Sequence, residues 1–312
     1  MCSSLPLAVA APIEALVRQV VVNVTGEHVK SITRLTGGVV NQVLLVATHS
    51  GHLVFRCNTD SLPCFLKEQW AMKTASAHGV LVPEVFEVGE VAGTTFMVMD
   101  YKPGTMFGDF QGDRQRAAIE IGRQLRLINS IEVDGFGFHL DWSAGAPVFT
   151  ETWQEVRQGE DEMIFGSDAL IAMGALSAEQ FSKARLFLDQ MNAWRFPPRL
   201  CHGDPNPNNF IVQEDGGVVV LDWTQVKGGV APFYDLARLS IEDAGEFKAL
   251  CSGYGLSDTQ VAEYAVGMRC IALTDELRAA AWAYSVQHPL LPKFAQNAQR
   301  RYRLILPDGG LK

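Results

Sequence analysis

Short apolar and β-branched runs broken by glycine-containing turns dominate the first third of the chain. Val29–Leu35, Val40–Thr48 and His52–Arg56 carry this pattern, with breaks at Thr36-Gly37-Gly38 and His49-Ser50-Gly51, and they predict three consecutive strands. Lys67–His78 then sets Trp70, Ala71, Thr74 and Ala77 at helical spacing. Val85–Val88 and Thr95–Met99 follow as two more strands, separated by Gly89 to Gly93. At the start, a short apolar run has no basic residue before it, and Glu14 and Arg18 soon interrupt it. That reads as a loop entering a helix and not as a signal peptide.

After Tyr101-Lys102-Pro103-Gly104 the period becomes helical. Ala117, Ile121, Leu125 and Ile128 share one face of Asp113–Ile128. Ser177-Ala178-Glu179-Gln180 and Ser257-Asp258-Thr259-Gln260 have the form of capping boxes. They open helices that run over Phe181–Trp194 and on to about Tyr284. Short strands at Leu200–His202, Phe210–Val212 and Val218–Leu221 lie between these helices. The pattern predicts an α+β, bilobal fold: a small β-rich N-terminal lobe, residues 1–101, and a larger, mostly helical C-terminal lobe, residues 102–312.

Composition narrows the function classes. Apolar residues make up 47% of the 312 residues and charged residues 20%, the balance of an ordinary globular protein. The net charge of −9 repels phosphate backbones, so no nucleic-acid partner is expected. No run of about 18 uninterrupted apolar residues exists, so no membrane partner is expected either. The six cysteines form no CxxC pair or dense framework and read as free thiols of a cytoplasmic protein. The histidines lack metal-ligand spacing, which argues against zinc. The absence of a GxxxxGK[ST] segment excludes a P-loop kinase.

The chemistry concentrates in His202-Gly203-Asp204-Pro205-Asn206-Pro207-Asn208-Asn209-Phe210 and in Val218-Val219-Val220-Leu221-Asp222-Trp223. Asp204 stands on a loop just after a buried strand, which aims an exposed carboxylate. Asn209, five residues on, offers an amide oxygen, and Asp222 ends a strand of four apolar residues. An amide oxygen beside a carboxylate is a hard-oxygen site of few ligands, suited to Mg²⁺ that keeps its waters and nucleotide phosphates. Asp204 is then free to accept a hydroxyl proton. One base and two metal ligands are the parts of kinase-type phosphoryl transfer.

The sequence resembles the aminoglycoside phosphotransferase and choline kinase-like family, which has the protein-kinase fold. The family's catalytic loop has the form HGDxxxxN, and its second metal aspartate ends an apolar strand before Trp, Phe or Tyr. Both forms occur here, and the resemblance runs from about Thr33 to Tyr284. It implies Asp204 as catalytic base, and Asn209 and Asp222 as Mg²⁺ ligands. Gly37 and Gly38 fall in the nucleotide-covering loop, where glycine allows close backbone approach to phosphates. Arg56 takes the place of the lysine that grips the α- and β-phosphates, and Glu68 orients it; an arginine keeps the charge and adds a bidentate fork. Met99 lines the adenine pocket, and the backbone of Asp100, Tyr101 and Lys102 bonds the base. His202 is read as a structural imidazole, and Asp235 as a helix cap that braces the loop. Asn129 stands where relatives often carry histidine.

The resemblance implies a cytoplasmic, ATP- and Mg²⁺-dependent phosphotransferase, with GTP left open as donor, working as a monomer or dimer. Its acceptor would be a hydroxyl of a small molecule, foremost an aminoglycoside-type antibiotic. Alternatives are an amino alcohol, homoserine or a sugar, or a nucleotide-binding pseudokinase with a regulatory role. Asp243, Glu246, Asp275 and Glu276 are expected to line the acceptor entrance and draw a cationic acceptor. A solvated acidic face is the plainer reading of each cluster.

Overall fold

A computed structural model describes residues 11–35, 42–58, 62–143, 146–239 and 243–307. The N-terminal part runs α1 (Ala11–Thr25), β1 (Ser31–Leu35), β2 (Gln42–Ala47), β3 (His52–Asn58), α2 (Leu62–Ala77), β4 (Val85–Val91), β5 (Thr94–Asp100) and β6 (Thr105–Met106). It continues with α3 (Arg114–Ser130), β7 (Phe136–Asp141), β8 (Val148–Glu151), α4 (Trp153–Phe165), α5 (Ala169–Ala172), α6 (Ala178–Asp189) and β9 (Arg199–Cys201). The last part holds β10 (Phe210–Val212), β11 (Val218–Val220), β12 (Lys227–Gly229), α7 (Phe233–Arg238), α8 (Ala244–Tyr254), α9 (Asp258–Ser285) and α10 (Leu291–Ile305).

The chain divides into two compact units. The first holds residues up to Gly112 together with Asn208–Thr224, and the second holds Asp113–Pro207 and Gln225 onward. The expected boundary after residue 101 differs from this division. The cause is β-pairing: β10 lies between β11 and β6, so the late hairpin belongs with the strand Thr105–Met106.

In the first unit an antiparallel sheet runs in the order β1-β2-β3-β5-β4. Period-2 alternation sorts its side chains. Phe55 and Cys57 of β3, Leu44 and Val46 of β2 and Phe96 and Val98 of β5 form one buried cluster with Leu16, Val17, Val20 and Val21 of α1. Phe55 and Phe96 stack at 5.7 Å. Arg56, between Phe55 and Cys57, therefore takes the opposite face, toward α2. Helix α2 starts five residues before the expected Lys67, because Pro63 sits in its first turn, where the missing N–H is no loss.

The second unit contains a small sheet in the order β8-β7-β12-β9 among helices. Strand β12 is three residues long with two glycines and shows no strand pattern. Both expected capping boxes are present, at Ser177 and Ser257. Helix α6 ends at Asp189 and passes into a 3-10 turn, short of the expected Trp194. Among the described residues no helix is long and apolar enough to cross a membrane.

Helices α3 and α8 pack backbone to backbone. A Cβ at Gly122 would strike the Leu250 carbonyl, and one at Gly253 would strike that of Ile119. Gly253→Ala should therefore destabilise the protein by about 1–3 kcal/mol, the usual penalty of overpacking. Denaturant unfolding checks this. An unchanged midpoint would mean that the two helices can separate without cost.

Candidate active site

Strand β3 carries Arg56 toward α2, where Glu68 meets it. Arg56 Nη1 lies 2.6 Å from Glu68 Oε2, and Nη2 lies 3.4 Å from Oε1. Both side chains are buried, and the Phe65 ring covers the guanidinium at 5.4 Å. Burial pushes the Glu68 carboxyl above its usual range, and Arg56 works against that push without cancelling it. Thr224 Oγ1 lies between two carboxyls, 3.1 Å from Glu68 Oε1 and 2.5 Å from Asp222 Oδ1. Asp222 Oδ1 lies 3.9 Å from Arg56 Nη2. Arg56, Glu68, Thr224 and Asp222 thus form one connected group within the first unit.

The β10–β11 hairpin sets Asp222 beside Asn209. Phe210 pairs with Val220, and the Leu221 N–H donates to the Asn209 carbonyl at 2.8 Å. Asn209 is buried and Asp222 is half-exposed. The Asp222 backbone sits in the left-handed region at φ 55°, a conformation that Asp tolerates better than most residues. A carboxylate and an amide oxygen at one hairpin end are hard donors of the kind Mg²⁺ accepts. Among the described residues no group of three or more His, Cys, Asp or Glu side chains could hold a metal ion.

Met99 is buried on β5. Asp100 is tied locally: its N–H donates to the Glu84 carbonyl, its Oδ1 accepts from the Glu84 N–H at 2.7 Å, and Lys102 Nζ meets its Oδ2 at 2.6 Å. Tyr101 is exposed against His52. Gly37 and Gly38 lie outside the described residues.

The second unit builds the other element. Strand β9 ends at Cys201, and the chain then turns through His202, Gly203 and Asp204. Asp235, fully buried at the start of α7, accepts the N–H groups of His202 and Gly203, each at 3.0 Å. Asn129 donates to Asp235 Oδ2 at 2.7 Å and to the Leu200 carbonyl at 3.0 Å, and receives the Tyr254 hydroxyl at 3.1 Å. Gly203 has φ 82°, and a Cβ there would strike the Gln225 carbonyl. Only glycine suits that position. Asp204 emerges with its side chain 41% exposed; its N–H donates to His202 Nδ1 at 3.3 Å. That contact makes His202 an acceptor at Nδ1 and supports its structural reading.

Arg238 was missed in the sequence, although it stands three residues after Asp235. It donates to the Gly203 carbonyl, lies 3.7 Å from Asp204 Oδ1, and forks onto Asp275 at 2.5 and 2.9 Å. Burial would push the Asp275 carboxyl up, but Arg238 outweighs it, helped by Lys227 and Arg278, and holds it below its usual value. Asp275 is thus a buried partner of the loop. The other three expected entrance residues also have local partners. Glu246 on α8 is bound by Arg114 of α3 at 2.5 Å. Asp243 caps α8 through the Glu246 N–H, and Glu276 lies 3.6 Å from Arg301. Basic side chains from adjacent helices neutralise three of these carboxylates, which the one-dimensional pattern could not reveal.

A strand arginine paired to a helix glutamate, a hairpin Asn–Asp pair and a braced aspartate loop define the class: a small-molecule kinase with a protein-kinase-like fold. Residues 31–266 match the model of the phosphotransferase enzyme family, and the chain belongs to that family. No curated protein matches it. The crystal structure of aminoglycoside phosphotransferase APH(4)-Ia superposes with a TM-score of 0.74 at 15% identity, over 96% of this chain and 100% of that one. A putative fructosamine-3-kinase from Thermobifida fusca YX-ER1 gives 0.62 at 21%, over 91% and 98%. The GDP and kanamycin complex of APH(2")-IIia gives 0.65 at 13%, over 96% and 100%.

Removing the Asp235 carboxylate would orphan two buried backbone N–H groups and the Asn129 amide. Asp235→Ala should lower stability by about 1–3 kcal/mol or more, the usual penalty for each unsatisfied buried group. Denaturant unfolding measures it; a neutral result would mean that other acceptors replace the carboxylate.

Proposed function

We propose that the chain moves the γ-phosphate of ATP to a hydroxyl of a small molecule in a Mg²⁺-dependent reaction in the cytoplasm. The observation that carries this reading is the connected group Arg56–Glu68–Thr224–Asp222, with Asp222 Oδ1 3.9 Å from Arg56 Nη2. A phosphate-gripping cation and a metal-binding carboxylate have reason to lie that close when one polyphosphate occupies both. The free thiols of Cys57, Cys64, Cys201, Cys251 and Cys270 suit a reducing compartment.

Each residue then has a task. Arg56, held in line by Glu68, grips the α- and β-phosphates; Met99 and the main chain of Asp100 and Tyr101 receive the adenine, and Gly37 and Gly38 cover the phosphates. Asn209 and Asp222 would hold Mg²⁺, which neutralises charge on the transferring phosphates when bound. Asp204 orients the acceptor hydroxyl and takes its proton. As the oxygen–phosphorus bond forms, the bond to the β-phosphate oxygen breaks and ADP leaves. Arg238 keeps the Asp204 loop in place through the Gly203 carbonyl.

Two acceptor classes follow from different observations. An aminoglycoside-type antibiotic, and hence a resistance function, is supported by the −9 charge and by relatives whose structures contain hygromycin B or kanamycin. A metabolic acceptor such as an amino alcohol, homoserine or a sugar is favoured by the neutralisation of Glu246 and Asp275 by arginines. Such paired carboxylates have little charge left to attract a polycation.

Asp204→Asn should reduce transfer by roughly 10² or more while nucleotide binding survives, in line with general-base contributions. Turnover on an acceptor panel with a parallel nucleotide titration checks it, and near-normal turnover would remove Asp204 from the chemistry. Asp222→Ala should abolish Mg²⁺-supported turnover, and Asn209→Ala should weaken it less, because the carboxylate brings the charge. A Mg²⁺ dependence unchanged in Asp222→Ala would place the metal elsewhere.

A further inference from the structure

One buried cation of the second unit has no carboxylate in direct contact, although Asp275 and Glu160 lie near enough to favour its charged form. Lys227, the first residue of β12, is in register with Cys201 of β9, just before the Asp204 loop. It is 3% exposed. Among the described residues its ammonium makes no hydrogen bond or ion pair. It rests instead on the faces of Tyr234, 3.7 Å from the ring centroid, and Phe138, at 4.6 Å. Burial, with Arg238 repelling it, pushes the Lys227 pKa down to about 7. Lysine is almost never buried this far unless paired. Aromatic faces attract a cation but accept none of its hydrogen bonds in the manner of an oxygen lone pair.

A second donor lacks a partner at the same ring. The Arg278 guanidinium lies 5.7 Å from Phe138, and its Nε is buried with no hydrogen-bond partner. The neighbouring anions are already matched. Asp275 is forked by Arg238 and lies 3.6 Å from Arg278. Glu160 receives Arg157 at 2.6 Å and the Tyr234 hydroxyl at 3.1 Å. Among the described residues the cluster therefore keeps two donors unfilled, the Lys227 ammonium and Arg278 Nε. It connects to Asp204 through Asp275 and Arg238.

We propose that Lys227 and Arg278, flanking Phe138, form a subsite for a carboxylate or phosphate of the acceptor, so that the acceptor is a hydroxy compound bearing an anionic group. This rests on the reading of Asp204 as the group that receives the acceptor hydroxyl. An oxyanion supplies the missing lone pairs, whereas an ammonium would meet two like charges there.

The full-length protein and its Lys227→Met variant are compared by thermal unfolding at constant ionic strength with glycolate, inorganic phosphate, ethylene glycol or ethanolamine. Glycolate or phosphate should raise the wild-type Tm saturably, as any ligand of the native state does, and ethylene glycol and ethanolamine should not. A response to glycolate alone assigns the carboxylate, and a response to phosphate alone assigns the phosphate. Lys227→Met should lose the response and, without ligand, unfold at a higher temperature. Arg278→Gln should weaken the response and serves as the second variant should Lys227→Met not fold. An indifferent wild type, or an equal shift in both variants, would overturn the subsite. Phosphotransfer from ATP onto the same compounds separates this from the proposed function. Oxyanion binding without transfer to any hydroxyl would count against the function alone. Equal kcat/KM for anionic and cationic acceptors in wild type and Lys227→Met would count against the subsite alone. With a transferred anionic acceptor, Lys227→Met should raise its KM at least about tenfold and leave that of ATP unchanged.

Discussion

Asp235 is the fixed point of the second unit. Its buried carboxylate accepts two consecutive backbone N–H groups, those of His202 and Gly203, and the Asn129 amide. A loop that leaves a strand buries donors that no ladder can satisfy, and one carboxylate satisfies two of them. Gly203 must then turn through a positive φ, and Asp204 is presented at the exit. Arg238 closes the arrangement from the same short helix by holding the Gly203 carbonyl. Position and exposure of the aspartate both derive from this bracing.

The first unit solves a different problem, that of keeping a cation buried. Period-2 alternation on β3 sends Arg56 away from the α1 cluster and toward α2, where Glu68 meets it. The resulting pair is desolvated, and the balance of burial against pairing leaves Glu68 harder to ionise than an exposed carboxyl. Removing one partner of such a pair leaves the other uncompensated, which is far costlier than any surface ion pair. Thr224 extends the group to Asp222, so the hairpin that carries Asn209 and Asp222 is tied by side chains to the arginine.

Much of this was legible in the sequence. The strands of the first unit, helix α3, the two capping boxes and the family of the chain follow from local periodicity and from two short motifs. Arg56 and Glu68 could be paired in advance because strand β3 and helix α2 are adjacent in sequence. The pairing of the late hairpin with Thr105–Met106 was not legible, because that strand is two residues long and carries no strand pattern. The acidic segments have partners that the local pattern does not show. Glu246 and Asp275 look like an attracting surface until Arg114 and Arg238, from other helices, are seen against them. Charge pairing across helices is a property of the fold, and so is the aromatic seat of Lys227.

The central claim is that ATP supplies a phosphoryl group to a carbon-bound hydroxyl. Phosphorus NMR of the wild-type protein with ATP, Mg²⁺ and a pooled set of hydroxy compounds tests it most directly. The account predicts growth of ADP resonances in step with a new phosphomonoester signal coupled to acceptor protons. ADP accompanied only by inorganic phosphate, or ATP left intact across the whole pool, would contradict it.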